Sequence, residues 1–343
     1  MKWLFQIEYM VLSAITAFFT SFTTPTPADS IKPKIDISKI SLTPLTANTQ
    51  LNWKIANFDV GGKSLLDVVA GGDGQFIVSG SMGELYSSSD GGISWRKEYS
   101  KLNGTISKII YINGEYIAVS SPSGVYSSSS RIIKSRDGKN WEVVMGDYIN
   151  QINGLFGIIS SGDTYVAVGY DYGGILTSND TLTWTNHRSG LPNNAFIMSV
   201  TWSPQHHLFV AVADAGGITT SPDGISWTPV PPVTSNDLYA VTYSTEKQQF
   251  IVVGTHGTIL SSSDGKTWQI QASGTDQSLA EVIWSSSLKR YYAVGNQGTI
   301  ISSPNGTIWI KEKNTGTTEN LSGIAAAGNR IVAVGNKIVL TAN

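Results

Sequence analysis

Three ionisable residues of this 343-residue chain stand at one register of a recurring apolar strand: Asp67, Lys108 and Glu281. Each follows an apolar residue by two positions and precedes another by one, as in Leu65 and Val68, Ile106 and Ile109, or Leu279 and Val282. The remaining copies of that position read Gly154, Ser199, Ala240 and Gly323, so only small or charged residues are used there. If these strands converge on a water-filled axis, the three charges meet at its mouth. Two carboxylates held together split their pKa values, which would let one act as acid and the other as base beside the amine. Asp67, Glu281 and Lys108 are therefore the candidate catalytic set, for glycoside hydrolase or lyase chemistry. The competing reading of the same residues is a hydrated ion-pair cluster that fills the axis.

A second group has the composition of a contact surface. Tyr126, Arg131, Tyr170, Asp171, Tyr172, Arg188, Asp214 and His256 fall in connections or strand ends expected on one face, joined there by Asp147, Tyr148 and His187. Tyr beside Asp suits a protein or glycan partner, since rings stack while carboxylates orient hydroxyls or amides. Residues 120–131 form a Ser-rich connection of twelve residues where the equivalent place elsewhere holds only Thr255, His256 and Gly257. A compact insertion of this kind is an expected contact element.

Composition removes other chemistries. There is no Cys, so disulfides, thiolate zinc sites and a Cys nucleophile are excluded. Only four His are present, His206 and His207 on an expected turn of the opposite face, so neither a three-His zinc site nor any cofactor is expected. Neither a Gly-x-Ser-x-Gly elbow, a phosphate loop nor a dinucleotide fingerprint occurs. A net charge of −2 gives no basic footprint for nucleic acid.

The elements that must position these residues are short strands. Gly is 35 residues and charged residues only 14% of the chain, which is a profile of strands and tight turns rather than helices. One unit recurs: an apolar strand, a turn, a strand such as Tyr165-Val-Ala-Val-Gly, a Gly turn, then Ser-x-Asp-Gly and a Trp. The Asp and Trp pairs are Asp90 with Trp95, Asp137 with Trp141, Asp180 with Trp184, Asp223 with Trp227 and Asp264 with Trp268. Asn305 with Trp309 is a degenerate sixth, and the Trp residues follow one another at 41 to 46 residues. That period predicts an all-β fold, a seven-bladed β-propeller of four-stranded blades. The seventh copy stops after three strands at Asn343, while residues 51–55, with Trp53, supply an unaccompanied fourth. Pairing the two termini closes the ring and removes two open sheet edges. The Asp residues are read as structural, since their carboxylates accept turn N–H groups and the Gly takes positive φ.

The Ser-x-Asp-Gly…Trp pattern over residues 50–343 resembles the Asp-box (BNR) repeat of sialidases, sortilin-type receptors and photosystem II assembly factors. The resemblance implies a propeller. It does not imply one activity, because the box is a structural turn in all of them. A sialidase would add an arginine triad and an Arg-Ile-Pro motif, neither of which the six Arg here provide.

The amino terminus differs from the rest. Lys2 precedes an apolar run over residues 9–19, too short to span a bilayer, and Thr26-Pro-Ala28 is a small-x-small triplet. Residues 1–28 read as a secretory signal and 29–49, rich in Thr, Ser and Pro, as a linker. The expectation is an exported monomeric propeller, periplasmic or extracellular, without a transmembrane span once the signal is removed. It would bind or scaffold a protein or glycan, with a carbohydrate-active enzyme or an assembly chaperone as the alternatives.

Overall fold

The computed structural model describes residues 51–102, 104–121, 130–145, 154–170 and 174–343, so Tyr126, Asp147, Tyr148, Asp171, Tyr172 and most of the 120–131 connection lie outside the described residues. Seven antiparallel sheets of four strands each form the ring, a seven-bladed β-propeller. Six blades use four consecutive strands. The seventh joins Leu321–Ala327, Arg330–Gly335 and Ile338–Ala342 to the amino-terminal Lys54–Ile55. Lys54 pairs with Thr341 and Ile55 with Leu340, and the Ala56 N–H donates to the Val339 carbonyl at 2.9 Å. Among the described residues no helix is long and apolar enough to cross a membrane.

The core is divided among the seams between blades. A second strand such as Gln249–Gly254 carries an unbroken apolar run from Phe250 to Val253, fully buried because each face meets a neighbouring blade. Seven apolar clusters result, one per seam. Ile117, Val119 and Ile132 of blade 2 pack on Leu155, Ile158 and Leu176 of blade 3, and Phe76 and Val78 of blade 1 pack on Val332 and Val334 of blade 7. Each cluster contains or adjoins one Trp from the end of a repeat: Trp53, Trp184, Trp268, Trp95, Trp309, Trp141 and Trp227. That aromatic residue is thus the closing piece of a seam, burying on the order of 200 Å².

The Asp boxes make the turns that carry these Trp residues. Asp223 Oδ1 accepts the Ile225 and Ser226 N–H groups at 2.8 and 2.9 Å, Ser221 Oγ donates to it at 2.9 Å, and the Trp227 indole N–H donates to the Gly224 carbonyl at 2.7 Å. Gly224 has φ +77°, and a Cβ there would lie 3.0 Å from a methyl of Val166 in blade 3, so both conformation and space favour glycine. Partial burial opposes ionisation of Asp90 and Asp264, but hydrogen bonds from the turn outweigh it and hold both carboxyls down at about 2. In blade 3 the Gly is replaced by Thr181, which takes the same left-handed conformation at φ 65°.

Every inner strand carries a bulge after its first apolar residue. The register shifts between Leu65 and Asp67, Ile106 and Lys108, Ile197 and Ser199, Leu238 and Ala240, Leu279 and Glu281, and Leu321 and Gly323. In blade 3 the shift lies between Leu155 and Gly157. The residue equivalent to Asp67 is therefore Gly157, three positions beyond Gly154. Gly154 instead pairs with Tyr170 at the strand's start.

Candidate functional site

Inner strands begin on the face opposite the Asp boxes, so the bulges and the residues after them ring the mouth of the channel on that open face. There Lys108 Nζ lies 3.1 Å from Asp67 Oδ1 and 2.5 Å from Glu281 Oε2. Asp67 Oδ2 also accepts the Ile109 N–H at 2.8 Å, and Glu281 Oε1 the Val282 N–H at 3.2 Å. The side chains are only 25%, 3% and 14% exposed for Lys108, Asp67 and Glu281 respectively. Burial raises the Glu281 carboxyl above the ordinary range despite the attraction of Lys108. Burial also works against the Lys108 ammonium, but the two carboxylates hold its pKa above the usual lysine value. The structure brings the three sequence-picked residues together, with the ammonium between the acids. A paired-carboxylate glycosidase needs its sugar in that position.

The remaining candidates among the described residues spread over blades 2 to 5. Tyr170 ends the second strand of blade 3 and stacks on Phe196, with ring centroids 4.1 Å apart and planes 8° from parallel. Phe156, the bulged residue of blade 3, lies 6.5 Å from Phe196 and is also stacked. Asp214 fixes this arrangement: its Oδ1 accepts the Phe196 N–H at 3.0 Å and its own N–H donates to the Phe196 carbonyl at 3.2 Å. Arg188 is exposed at the edge of blade 3, opposite Gly174. Arg131 pairs with Ser120 at the base of the blade 2 connection. His187 is turned away from this face, since Nε2 is 2.7 Å from Thr177 Oγ1 and the ring lines a groove with Asp180 and Asp223.

His256 occupies the middle of a three-residue turn between second and third strands. It has φ 55°, and Met82, Ala215, Gln297 and Lys337 hold the same place at φ 59°, 49°, 56° and 60°. These exposed side chains form a rosette on the open face. Carboxamide or carboxylate oxygens anchor two of the turns, Ala215 N–H donating to Asp237 Oδ1 at 2.9 Å and Gln297 N–H to Asn320 Oδ1 at 3.0 Å.

Beside Phe196 an apolar pocket of about 330 Å³ opens above blade 4, lined by Leu191, Pro192, Ala195, Ala215, Pro229 and Val230 among others. Sequence reading missed it, along with Phe156, Met198 and Tyr239, the bulged residues of blades 3 to 5. The signal was a large side chain at a position where Ser107, Ala280 and Ser322 stand in three other blades, although blade 1 also carries a large one there, Leu66.

A family model described as the photosynthesis system II assembly factor YCF48 matches residues 59–260, more than half of the chain. The chain belongs to this family. Solved structures agree in fold. YCF48 from Cyanidioschyzon merolae is 16% identical with a TM-score of 0.66, over 85% of this chain and 98% of that one. A YCF48 bound to a D1 peptide is likewise 16% identical with a TM-score of 0.66, over 86% and 97%. A virginiamycin B lyase from Staphylococcus aureus, solved with quinupristin, is 8% identical with a TM-score of 0.71, over 86% and 99%. No curated protein matches the chain. Membership in the YCF48 family accords with the resemblance carried by the Asp boxes, and the wider likeness to a lyase concerns the propeller alone.

Proposed function

We propose that this protein is an exported binding and assembly module that holds a peptide segment of a protein partner on the open face of its ring. The observation that carries the reading is its membership in the YCF48 family, one of whose structures holds a D1 peptide. The open face supports it with an aromatic stack, an apolar pocket and a rosette of exposed turn residues. The Asp-box face, by contrast, spends its carboxylates on its own turns. The amino-terminal apolar run supports export. The enzyme alternative draws on Asp67 and Glu281, and Lys108 takes the place a substrate would need.

The test is affinity capture by the tagged full chain in its native host, beside a variant with Phe196→Ala and Ala215→Met. Trp fluorescence and melting establish that the variant is folded. A partner held by the wild type and lost from the variant supports the reading, whereas equal retention by both removes the open face from it.

A further inference from the structure

The open face is not uniform in charge. In blades 4 to 6 its connections, residues 189–196, 214–216, 231–237, 255–257, 272–278 and 296–299, contain Asp214, Asp237 and Asp276 but neither Lys nor Arg. Lys108 at the channel mouth is already paired with two carboxylates, and Lys313 and Lys337 follow in the next connections, at blade 7. Arg188 bounds the sector at blade 3. Of the three acids, Asp276 is exposed, while Asp237 and Asp214 are half-buried. Asp237 uses Oδ1 on the Ala215 N–H and Asp214 uses Oδ1 on the Phe196 N–H. Both carboxylates stand in connections of this same face.

This acidic sector meets the apolar one at the pocket above blade 4. At about 330 Å³ the pocket stands at the small end of ligand sites, matching one or two inserted side chains. Its walls, Leu191, Pro192, Ala195, Pro229 and Val230, ask for an aliphatic or proline group. The stacked Phe196, 37% exposed, adds aromatic surface beside it. The carboxylates extend over two further blades, much wider than the pocket, so one ligand satisfying both features has to be extended.

We infer that the open face of blades 4 to 6 selects an extended basic peptide that inserts a proline or aliphatic side chain into the pocket above blade 4. This rests on the protein-binding reading above and adds the chemistry of the partner. Complementary charge sets the register and speeds encounter, and the apolar insertion supplies the anchor.

The repeats supply variants that keep the fold. Ala215→Met places at the pocket edge the residue that Met82 already is at the same turn of blade 1. Asp237→Asn preserves the bond to the turn, as Asn320 does for Gln297. Ile225→Ala alters an exposed side chain on an Asp-box turn of the opposite face and serves as the control.

The experiment measures fluorescence anisotropy of the purified full chain with three labelled twelve-residue peptides: a Lys-Pro-Leu repeat, its Glu-Pro-Leu counterpart and a Lys-Gly-Ser repeat. The first should bind at least about tenfold more tightly than either other, with salt weakening it. Ala215→Met should weaken it about tenfold, Asp237→Asn and Asp276→Asn about threefold each, and Ile225→Ala not at all. Tighter binding of the Glu peptide, lost in Ala215→Met, overturns the basic partner and leaves peptide binding on this face intact. Binding of the Lys-Pro-Leu peptide unaffected by Ala215→Met overturns the pocket. Absence of binding by all three overturns the inference, and loss of partner capture as well would remove the protein-binding reading with it.

Discussion

The Lys108 ammonium in blade 2 lies 2.5 Å from the Glu281 carboxylate in blade 6, although blades 1 and 7 stand between them in the ring. With Asp67 of blade 1 at 3.1 Å from the same nitrogen, one lysine ties three blades across the axis. Lys108→Met would leave two carboxylates buried with no counter-charge. It should destabilise the fold by about 3–5 kcal/mol, read by urea unfolding on Trp fluorescence. Adding Asp67→Asn and Glu281→Gln should recover most of the loss, because the uncompensated charge is then gone. A single variant within about 0.5 kcal/mol of the wild type would show that the cluster is not a tie.

Acid should act mainly through the Asp boxes. Asp90 and Asp264 titrate at about 2 in the folded ring, below the ordinary 3.8, and hydrogen bonds hold Asp137, Asp180 and Asp223 down as well. A depressed carboxyl contributes stability that is complete above its unfolded value and lost as pH falls through the folded one. Melting temperature should accordingly decline as pH falls from about 4 toward 2. Replacing Asp223 and Asp264 by Asn, which keeps the acceptor, should shallow that decline.

Thr181 is the one box residue of its position in a conformation that the other boxes give to Gly, at φ 65°. Thr181→Gly relieves a β-branched side chain of the left-handed region but forfeits the Thr181 hydroxyl bond to the Asp180 carbonyl. The net should be a stabilisation of about 0.5–1 kcal/mol by differential scanning calorimetry. A lowered melting temperature would mean that the hydroxyl bond outweighs the strain.

The seam closed by the termini differs from the others at one atom. The Trp227 indole N–H donates to Gly224, whereas no Ser-x-Asp-Gly precedes Trp53 in the sequence and its buried Nε1 has no partner among the described residues. Trp227→Phe should therefore cost about 1 kcal/mol more than Trp53→Phe in paired urea titrations. Equal losses would indicate that a water satisfies Trp53.

The ring, its closure and the box turns were legible because each depends on a residue type at a fixed interval: Asp accepting turn N–H groups, Gly at positive φ, Trp at a seam. The meeting of Asp67, Lys108 and Glu281 was legible from register alone, since all three follow the same bulge. Blade 3 was misaligned because Gly154 and Gly157 both suit a small-residue position, and only pairing across the bulge, Gly157 with Val168, distinguishes them. Phe196 escaped notice for a different reason. It lies outside the inner strand, and its function depends on Tyr170 in the neighbouring blade and on the Asp214 carboxylate, contacts that no local spacing encodes.

The most direct test of a partner-binding open face is site-specific photocrosslinking in the native host, with a benzophenone residue introduced at Ala215 on the open face or at Ile225 on an Asp-box turn. Mass spectrometry then identifies the peptide joined to each. The account predicts a defined partner peptide joined at Ala215 and none at Ile225. The same peptide joined at Ile225 alone would place the working surface on the opposite side of the ring and contradict it.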